Sequence, residues 1–155
     1  MGIRELKEVS MEIITGNSSE IIKKAQAIRY QVFTIEQQIP RELDLDGLDE
    51  GSIHALVEDK DALVATARLT IKEDCSSVMA RVAVTEPYRG MGIASKVVQA
   101  LMDYARNDEV SSIEIHAHGY LRNYYEKFGF EFIREVEIVG EHQLIEMQYH
   151  IEAKE

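Results

Sequence analysis

The sequence predicts an α/β domain, a mixed sheet with helices on its faces, and three observations carry that expectation. Strand-like and helix-like stretches follow in the order βα, βββ, α, βα, ββ, which is not the strict alternation of a parallel α/β fold. The 155 residues are 45% hydrophobic, enough for one core. A glycine-rich turn joins the most apolar strand to an amphipathic helix.

Residues 1–10 are polar and precede a second methionine, so they are expected to be an appendage to a single domain spanning 11–155. That domain opens on a short strand, Met11-Glu12-Ile13-Ile14. Asn17 with Glu20 has the spacing of a helix N-cap and its reciprocal partner. Ile21, Ala25, Ile28 and Val32 then recur at helical spacing, with Phe33 one step round. Gln38-Ile39-Pro40 should end the helix, because the residue before proline avoids helical dihedrals. An acidic loop follows from Glu42 to Glu50. Ile53 to Asp59 and Ala62 to Ile71 have strand character, the second with Leu63, Ala65, Ala67 and Leu69 on one side. Val78 to Val84 is the most apolar strand, which predicts a central position. Ile93 to Arg106 is an amphipathic helix with the stripe Ala94, Val98, Leu101 and Ala105. Ser112 to Ala117 is a strand, and Tyr120 to Phe128 a short helix stopped by Gly129. Phe130 to Val139 and His142 to Ile151 read as a hairpin around Gly140.

Charge narrows the function. A formal net charge of -11 argues against a nucleic-acid partner, since such proteins carry a basic face. The single Cys75 leaves no internal disulfide and no multi-cysteine zinc site. No apolar run reaches the roughly 20 residues of a membrane span. The N-terminus lacks the apolar core of a secretion signal, and Lys7 and Glu8 spoil a lipidation motif at Gly2, so a cytoplasmic location is expected. The acidity is uneven. Residues 36–61 hold nine acids against two bases, while residues 81–106 hold four bases against two acids.

That second segment contains Arg81-Val82-Ala83-Val84-Thr85-Glu86-Pro87-Tyr88-Arg89-Gly90-Met91-Gly92-Ile93-Ala94-Ser95. A strand ends, a turn begins at Pro87, and glycines open a helix. Free amides at a helix start bind anions, and glycines let a phosphate approach the backbone. The other reading is a tight strand-to-helix turn. A dinucleotide site fits poorly: the next strand ends His116-Ala117-His118 where an acidic residue is wanted.

Arg89-x-x-Gly92-x-Ala94 after an apolar strand resembles the acetyl-CoA signature of the GNAT superfamily of N-acetyltransferases. Tyr125-Glu126-Lys127-Phe128-Gly129-Phe130 resembles its second signature, and the order of elements is similar to its fold. Within the superfamily the chain is most similar to the ElaA-type, YjcF-like acetyltransferases. That likeness rests on Arg29-x-x-x-Phe33-x-x-Glu36-Gln37, on Asp44 to Asp49, on His54, and on His142 followed by Met147.

The resemblance implies the acyl-CoA N-acyltransferase fold, a central mixed, mostly antiparallel sheet flanked by helices, and acetyl-CoA as cosubstrate. It implies that Val82, Ala83 and Val84 contact the pantetheine arm through main-chain groups. It places the pyrophosphate on Gly90, Met91, Gly92, Ile93, Ala94 and Ser95, with Arg89 at the rim. Tyr125 falls where the family often has a tyrosine near the thioester sulfur, and its other reading is a core ring in the stripe Leu121, Tyr124, Tyr125, Phe128. Relatives usually carry Asn or Gln where this chain has His118. The resemblance also allows a homodimer.

Such an enzyme would move acetyl directly to a primary amine in a ternary complex, the acceptor being a small molecule or peptide. Lysine-like amines have pKa near ~10, so a base or a desolvating pocket must remove a proton. Glu36 and His118 are candidate bases and Tyr125 the candidate acid, with a backbone amide around Val84 meeting the oxyanion if the strand splays from its neighbour. His116 and His118 share one side of a strand, but no third ligand is placed, so no metal is expected. His54 and His142 are read as satisfied buried imidazoles. Asp44-x-Asp46-Gly47 lacks a calcium-loop pattern. The loop is therefore either a solvated connection or a surface attracting a cationic acceptor. Two alternatives stand beside this reading. Arg29, Phe33, Glu42, Asp44, Asp46, Asp49 and Arg68 loosely resemble the N-terminal half of acyl-homoserine-lactone synthases, and a non-catalytic acyl-CoA sensor would keep the same pocket.

Overall fold

A computed structural model describes residues 11–152. The proposed appendage, residues 1–10, lies outside them. Strand β1 (Met11–Gly16) leads to helix α1 (Ser19–Arg29), which continues in wider, π-helical turns over Tyr30–Glu36. A single turn, α2 (Arg41–Asp44), precedes strands β2 (Ile53–Asp59), β3 (Ala62–Ile71) and β4 (Ser76–Val84). A 3-10 turn at Glu86–Tyr88 leads to α3 (Ile93–Asn107) and β5 (Ser112–His118). Another at Gly119–Leu121 leads to α4 (Arg122–Glu126), then to the pair β6 (Glu131–Val139) and β7 (His142–His150). No described helix is long and apolar enough to cross a membrane.

The strands are ordered β1-β2-β3-β4-β5-β7-β6, so β4 is central, as its composition predicts. β4 and β5 run parallel, while the β1–β2, β2–β3, β5–β7 and β6–β7 ladders are antiparallel. Contacts divide the described residues into two compact units, 11–69 with 81–101, and 70–80 with 102–152.

In the first unit, α1 buries Ala25 and Ile28, and Ile28 forms a cluster with Val32 of the π-helical stretch, Leu56 and Ala83, against which Ile21, Phe33 and Leu63 pack. The cap is Ser18, not Asn17: its Oγ accepts the Ile21 amide at 3.2 Å from an extended backbone. The helix ends near Pro40 as expected, with Gln38 left-handed at φ 58. The π-helical stretch, closed by the Gln37 amide on the Val32 carbonyl, is not visible in hydrophobic spacing. The expectation that β3 has one apolar side needs correction. Val64 through Leu69 are all buried, including Thr66 and Arg68. The polar side is buried because it is satisfied: Thr66 Oγ1 donates to the Ala55 carbonyl at 2.7 Å, and Arg68 is held by aspartates.

In the second unit, β5 forms where a strand is expected and alternates, with Ile113, Ile115 and Ala117 buried. β7 inserts between β5 and its hairpin partner β6, a crossover that no local pattern specifies. Gly129 closes α4 at φ 103, where a Cβ would meet Tyr149 Cε1 at 2.9 Å, so both backbone and packing require glycine. Helix α3 itself buries Ile93, Val97, Val98, Leu101, Met102 and Ala105; Ala94 is only half-buried.

Candidate active site

The β4–β5 ladder covers three pairs, Ser76↔Ser112, Ser77↔Ile113 and Val78↔Glu114, and then stops. Three residues on, Arg81 takes a left-handed φ of 60, unusual for a residue with a side chain inside a strand, and this bends β4 locally. The main chain of Val82, Ala83 and Val84 follows this kink. Thr85 ends the strand by donating its amide to the Val64 carbonyl at 2.9 Å.

Past Pro87, Gly90 and Gly92 are left-handed at φ 80 and φ 74, and beyond their chain neighbours nothing lies within 4 Å of the Cβ either would carry. Close packing is therefore not their reason. They turn the backbone so that the amides opening the 15-residue helix α3 follow at once. Glycines at a helix start are the arrangement in which backbone amides can meet an anion, and the expected stretch Gly90 to Ser95 spans this turn and the first residues of α3.

Arg89 is committed locally. Its Nε donates to the Val84 carbonyl at 2.9 Å, and one terminal nitrogen meets Glu36 Oε1 and Oε2 at 3.0 and 2.8 Å. The geometry thus brings two predicted residues, Glu36 and Arg89, to the end of β4. His118 and Tyr125 belong to the other unit. Tyr125 is 7% exposed and packs edge-on against Tyr124 at 5.1 Å and Phe130 at 5.8 Å, as a core stripe requires. Burial, with a smaller contribution from Tyr124, pushes its hydroxyl up to about 12. His118 ends β5 with Nδ1 enclosed and unpartnered, its ring edge-on to His142 at 4.7 Å.

The other histidines divide. His54 is fully buried, and its Nε2 lies 2.9 Å from the Asp49 carbonyl, which only accepts, so the proton sits on Nε2. Burial outweighs that bond and pushes its pKa down. His142 is exposed, contrary to the expectation of a buried ring. His116 and His118 do share a face. β7 adds Glu146 to Glu114 and His116, whose ligand atoms lie within 4.8 Å of one another. All four carboxylate oxygens already face donors, however: Gln148 bridges both glutamates, His116 is 3.0 Å from Glu114, and Arg134 is 3.1 Å from Glu146.

The acidic loop is where sequence reasoning missed most. It is neither a solvated connection nor a free acidic surface. Arg29, fully buried, grips Asp44 through Nε at 3.0 and 3.2 Å and Asp49 through both terminal nitrogens at 2.8 and 3.0 Å. Arg68 joins Asp49 at 3.0 Å to Asp46 at 2.8 and 2.9 Å, and Gln26 adds a bond to Asp49 at 2.8 Å. Burial alone would raise the Asp49 carboxyl; hydrogen bonds from Arg29, Gln26 and Arg68 outweigh it and hold it well below the usual range. Arg81 closes the set, with Nε 2.9 Å from Asp44 Oδ1 and a terminal nitrogen 3.2 Å from Asp46. The loop is turned inside out: Asp44 and Asp49 are buried, while Leu43, Leu45 and Leu48 face outward. The available signal was arginine in otherwise apolar elements, at 29, 68 and 81.

Comparison with known proteins agrees with this geometry. The model of the Acetyltransferase (GNAT) family matches residues 20–130. The N-acetyltransferase YjcF of Bacillus subtilis (strain 168) is 26% identical over 129 residues, 83% of this chain and 91% of that one. Protein ElaA of Escherichia coli (strain K12) is 30% identical over 113 residues, 70% of this chain and 74% of that one. The crystal structure of Escherichia coli ElaA superposes with a TM-score of 0.80 at 26% identity, covering 90% of this chain and 99% of that one. An acyl-CoA N-acyltransferase from Pseudomonas aeruginosa shares the fold at a TM-score of 0.82 and 22% identity, covering 90% and 99%. Both the strand-to-helix turn and the family match fall in the same stretch of chain, and this protein belongs to the acetyltransferase (GNAT) family.

Proposed function

We propose that this enzyme transfers acetyl from acetyl-CoA to a primary amine by direct attack in a ternary complex. The observation that carries the reading is the left-handed, unobstructed Gly90–Gly92 turn, which opens α3 just after the kinked end of β4. Acetyl-CoA would supply the activated acyl group as a thioester. The amides of Gly90 to Ser95 would hold the pyrophosphate, and the Val82–Val84 edge would align the arm. An amide near Val84 would face the charge that develops on the acyl oxygen. The Val84 carbonyl is engaged by Arg89, so this edge offers the arm mainly the groups of Val82 and Ala83 together with the Val84 amide.

A base must take the proton that the amine loses as its nitrogen bonds to carbon and the carbon–sulfur bond breaks. Glu36 would exchange a partly exposed ion pair worth about 0–1 kcal/mol for that proton. His118 instead lies in the other unit, its Nδ1 enclosed and without a hydrogen-bond partner. The comparison favours Glu36, which reaches the β4 end through Arg89. Tyr125, at about 12, lies roughly 3.5 units above an ordinary thiol near ~8.5, so complete transfer to a free thiolate is uphill by about 5 kcal/mol. Its part is to donate a hydrogen bond to the leaving sulfur as charge builds there.

The acceptor is a primary amine, cationic in water, on a small molecule or a peptide. Any pull on that cation comes from acids other than Asp44, Asp46 and Asp49, whose charges already meet three guanidinium groups. Calorimetry with acetyl-CoA and a thiol-release assay across an amine panel test the reading. Binding with release supports it, binding with no release on any amine identifies a sensor, and no binding overturns it.

A further inference from the structure

We propose that Arg81 is a positioning residue for acyl transfer: clamped to Asp44 and Asp46, it holds β4 in the left-handed kink that sets the Val82–Val84 edge. The inference rests on the proposed function of that edge.

Within a strand, a left-handed residue with a side chain carries a strain that its surroundings must offset. At Arg81 the surroundings are specific. Its Nε stands 2.9 Å from Asp44 Oδ1, a contact made without the alignment of a hydrogen bond. One terminal nitrogen reaches Asp46 Oδ2 and the Asp44 carbonyl, each at 3.2 Å. These acceptors do not yield, because Asp44 is gripped by Arg29 and Asp46 by Arg68, both of them buried. The clamp therefore ties the turned-in loop to the residue immediately before Val82. Arg81 is also the least buried arginine of the three, with a side chain 25% exposed against 0% and 4%. Without it, Asp44 and Asp46 each keep a partner, so the loop stays anchored and the protein should fold. What is lost is the grip on the strand.

The test compares Arg81→Ala, Arg81→Gly and Arg81→Lys in the full chain. Glycine adopts positive φ at no steric cost, whereas alanine does not, and lysine keeps the charge without the fork. Amide hydrogen exchange at Val82 to Val84, without ligand, should speed up at least about tenfold in Arg81→Ala. Turnover should fall about tenfold to a hundredfold, as for a small misplacement of an aligned group. The dissociation constant for acetyl-CoA, set mainly by residues 90–95, should stay within about threefold, and Arg81→Gly should recover most of the lost turnover. Unchanged exchange in Arg81→Ala would overturn the clamp, as would equal loss of turnover in the alanine and glycine variants. Failure of the wild type to release thiol would count against the proposed function instead, and the exchange result would still decide the clamp.

Discussion

Replacing Asp49 with asparagine probes the buried charge network at its centre. Asp49 takes four hydrogen bonds on two oxygens: Arg29 at 2.8 and 3.0 Å, Arg68 at 3.0 Å and Gln26 at 2.8 Å. Asparagine keeps one acceptor oxygen and points an NH2 group at donors in the place of the other. Two guanidinium groups then share Asp44 and Asp46 with Arg81, leaving an excess of buried positive charge. Breaking a buried pair from one side costs about 3–5 kcal/mol. At about 2–4 °C per kcal/mol for a chain this size, the melting temperature should drop by about 6–20 °C. Urea unfolding at neutral pH measures the change directly. The same variant predicts a pH signature. The Asp49 carboxyl is held below its unfolded value near ~3.9, so its charge contributes fully above that pH, and the contribution is lost as pH falls through the lower folded value. Wild type and Asp49→Asn should therefore converge in stability as pH drops below about 4. Asp46→Asn is the internal control, since its side chain is 30% exposed and can recruit water. A loss below about 1 kcal/mol in Asp49→Asn would refute the reasoning, as would a larger loss in Asp46→Asn.

Three further outcomes are expected. Gly129→Ala should destabilise the protein by about 1–3 kcal/mol in urea unfolding, because a Cβ at φ 103 meets Tyr149 at 2.9 Å. Tyr125→Phe should lower kcat about a hundredfold with little change in KM, and the wild-type kcat profile should show no limb near ~10 where an ordinary phenol ionises, since this hydroxyl is pushed up to about 12. Glu36→Gln should lower kcat about a hundredfold with acetyl-CoA affinity nearly unchanged, while His118→Asn changes kcat less than about threefold; the reverse pattern would make His118 the base.

Much of the architecture is legible locally. The strands over 53–59 and 62–71 start and stop where the sequence places them, and Gly129 and Gly140 punctuate as expected. These features depend on period-two and period-3.6 spacing and on residues with restricted or permissive dihedrals, all properties of a few neighbouring residues. The glycine turn is legible for the same reason. Asn17 was misplaced by one residue because Ser18 satisfies the same capping rule. The burial of Thr66 and Arg68 escaped the pattern because alternation reports which residues are polar and not whether a partner exists to bury them.

By itself, then, the sequence determined the order of elements, the amphipathic faces and the strand–turn–helix that marks an acetyltransferase. Only tertiary structure decided which charges meet. Asp44, Asp46 and Asp49 read as a solvated acidic run until Arg29, Arg68 and Arg81, from three separate elements, converge on them. It also decided that β7 lies between β5 and β6, and that β4 leaves β5 after three pairs with a kink at Arg81. The physical reason is common to all of these. A hydrophobic period is fixed by the backbone's own repeat, but an ion pair or a strand pairing is fixed by residues far apart in sequence, whose meeting no local spacing encodes.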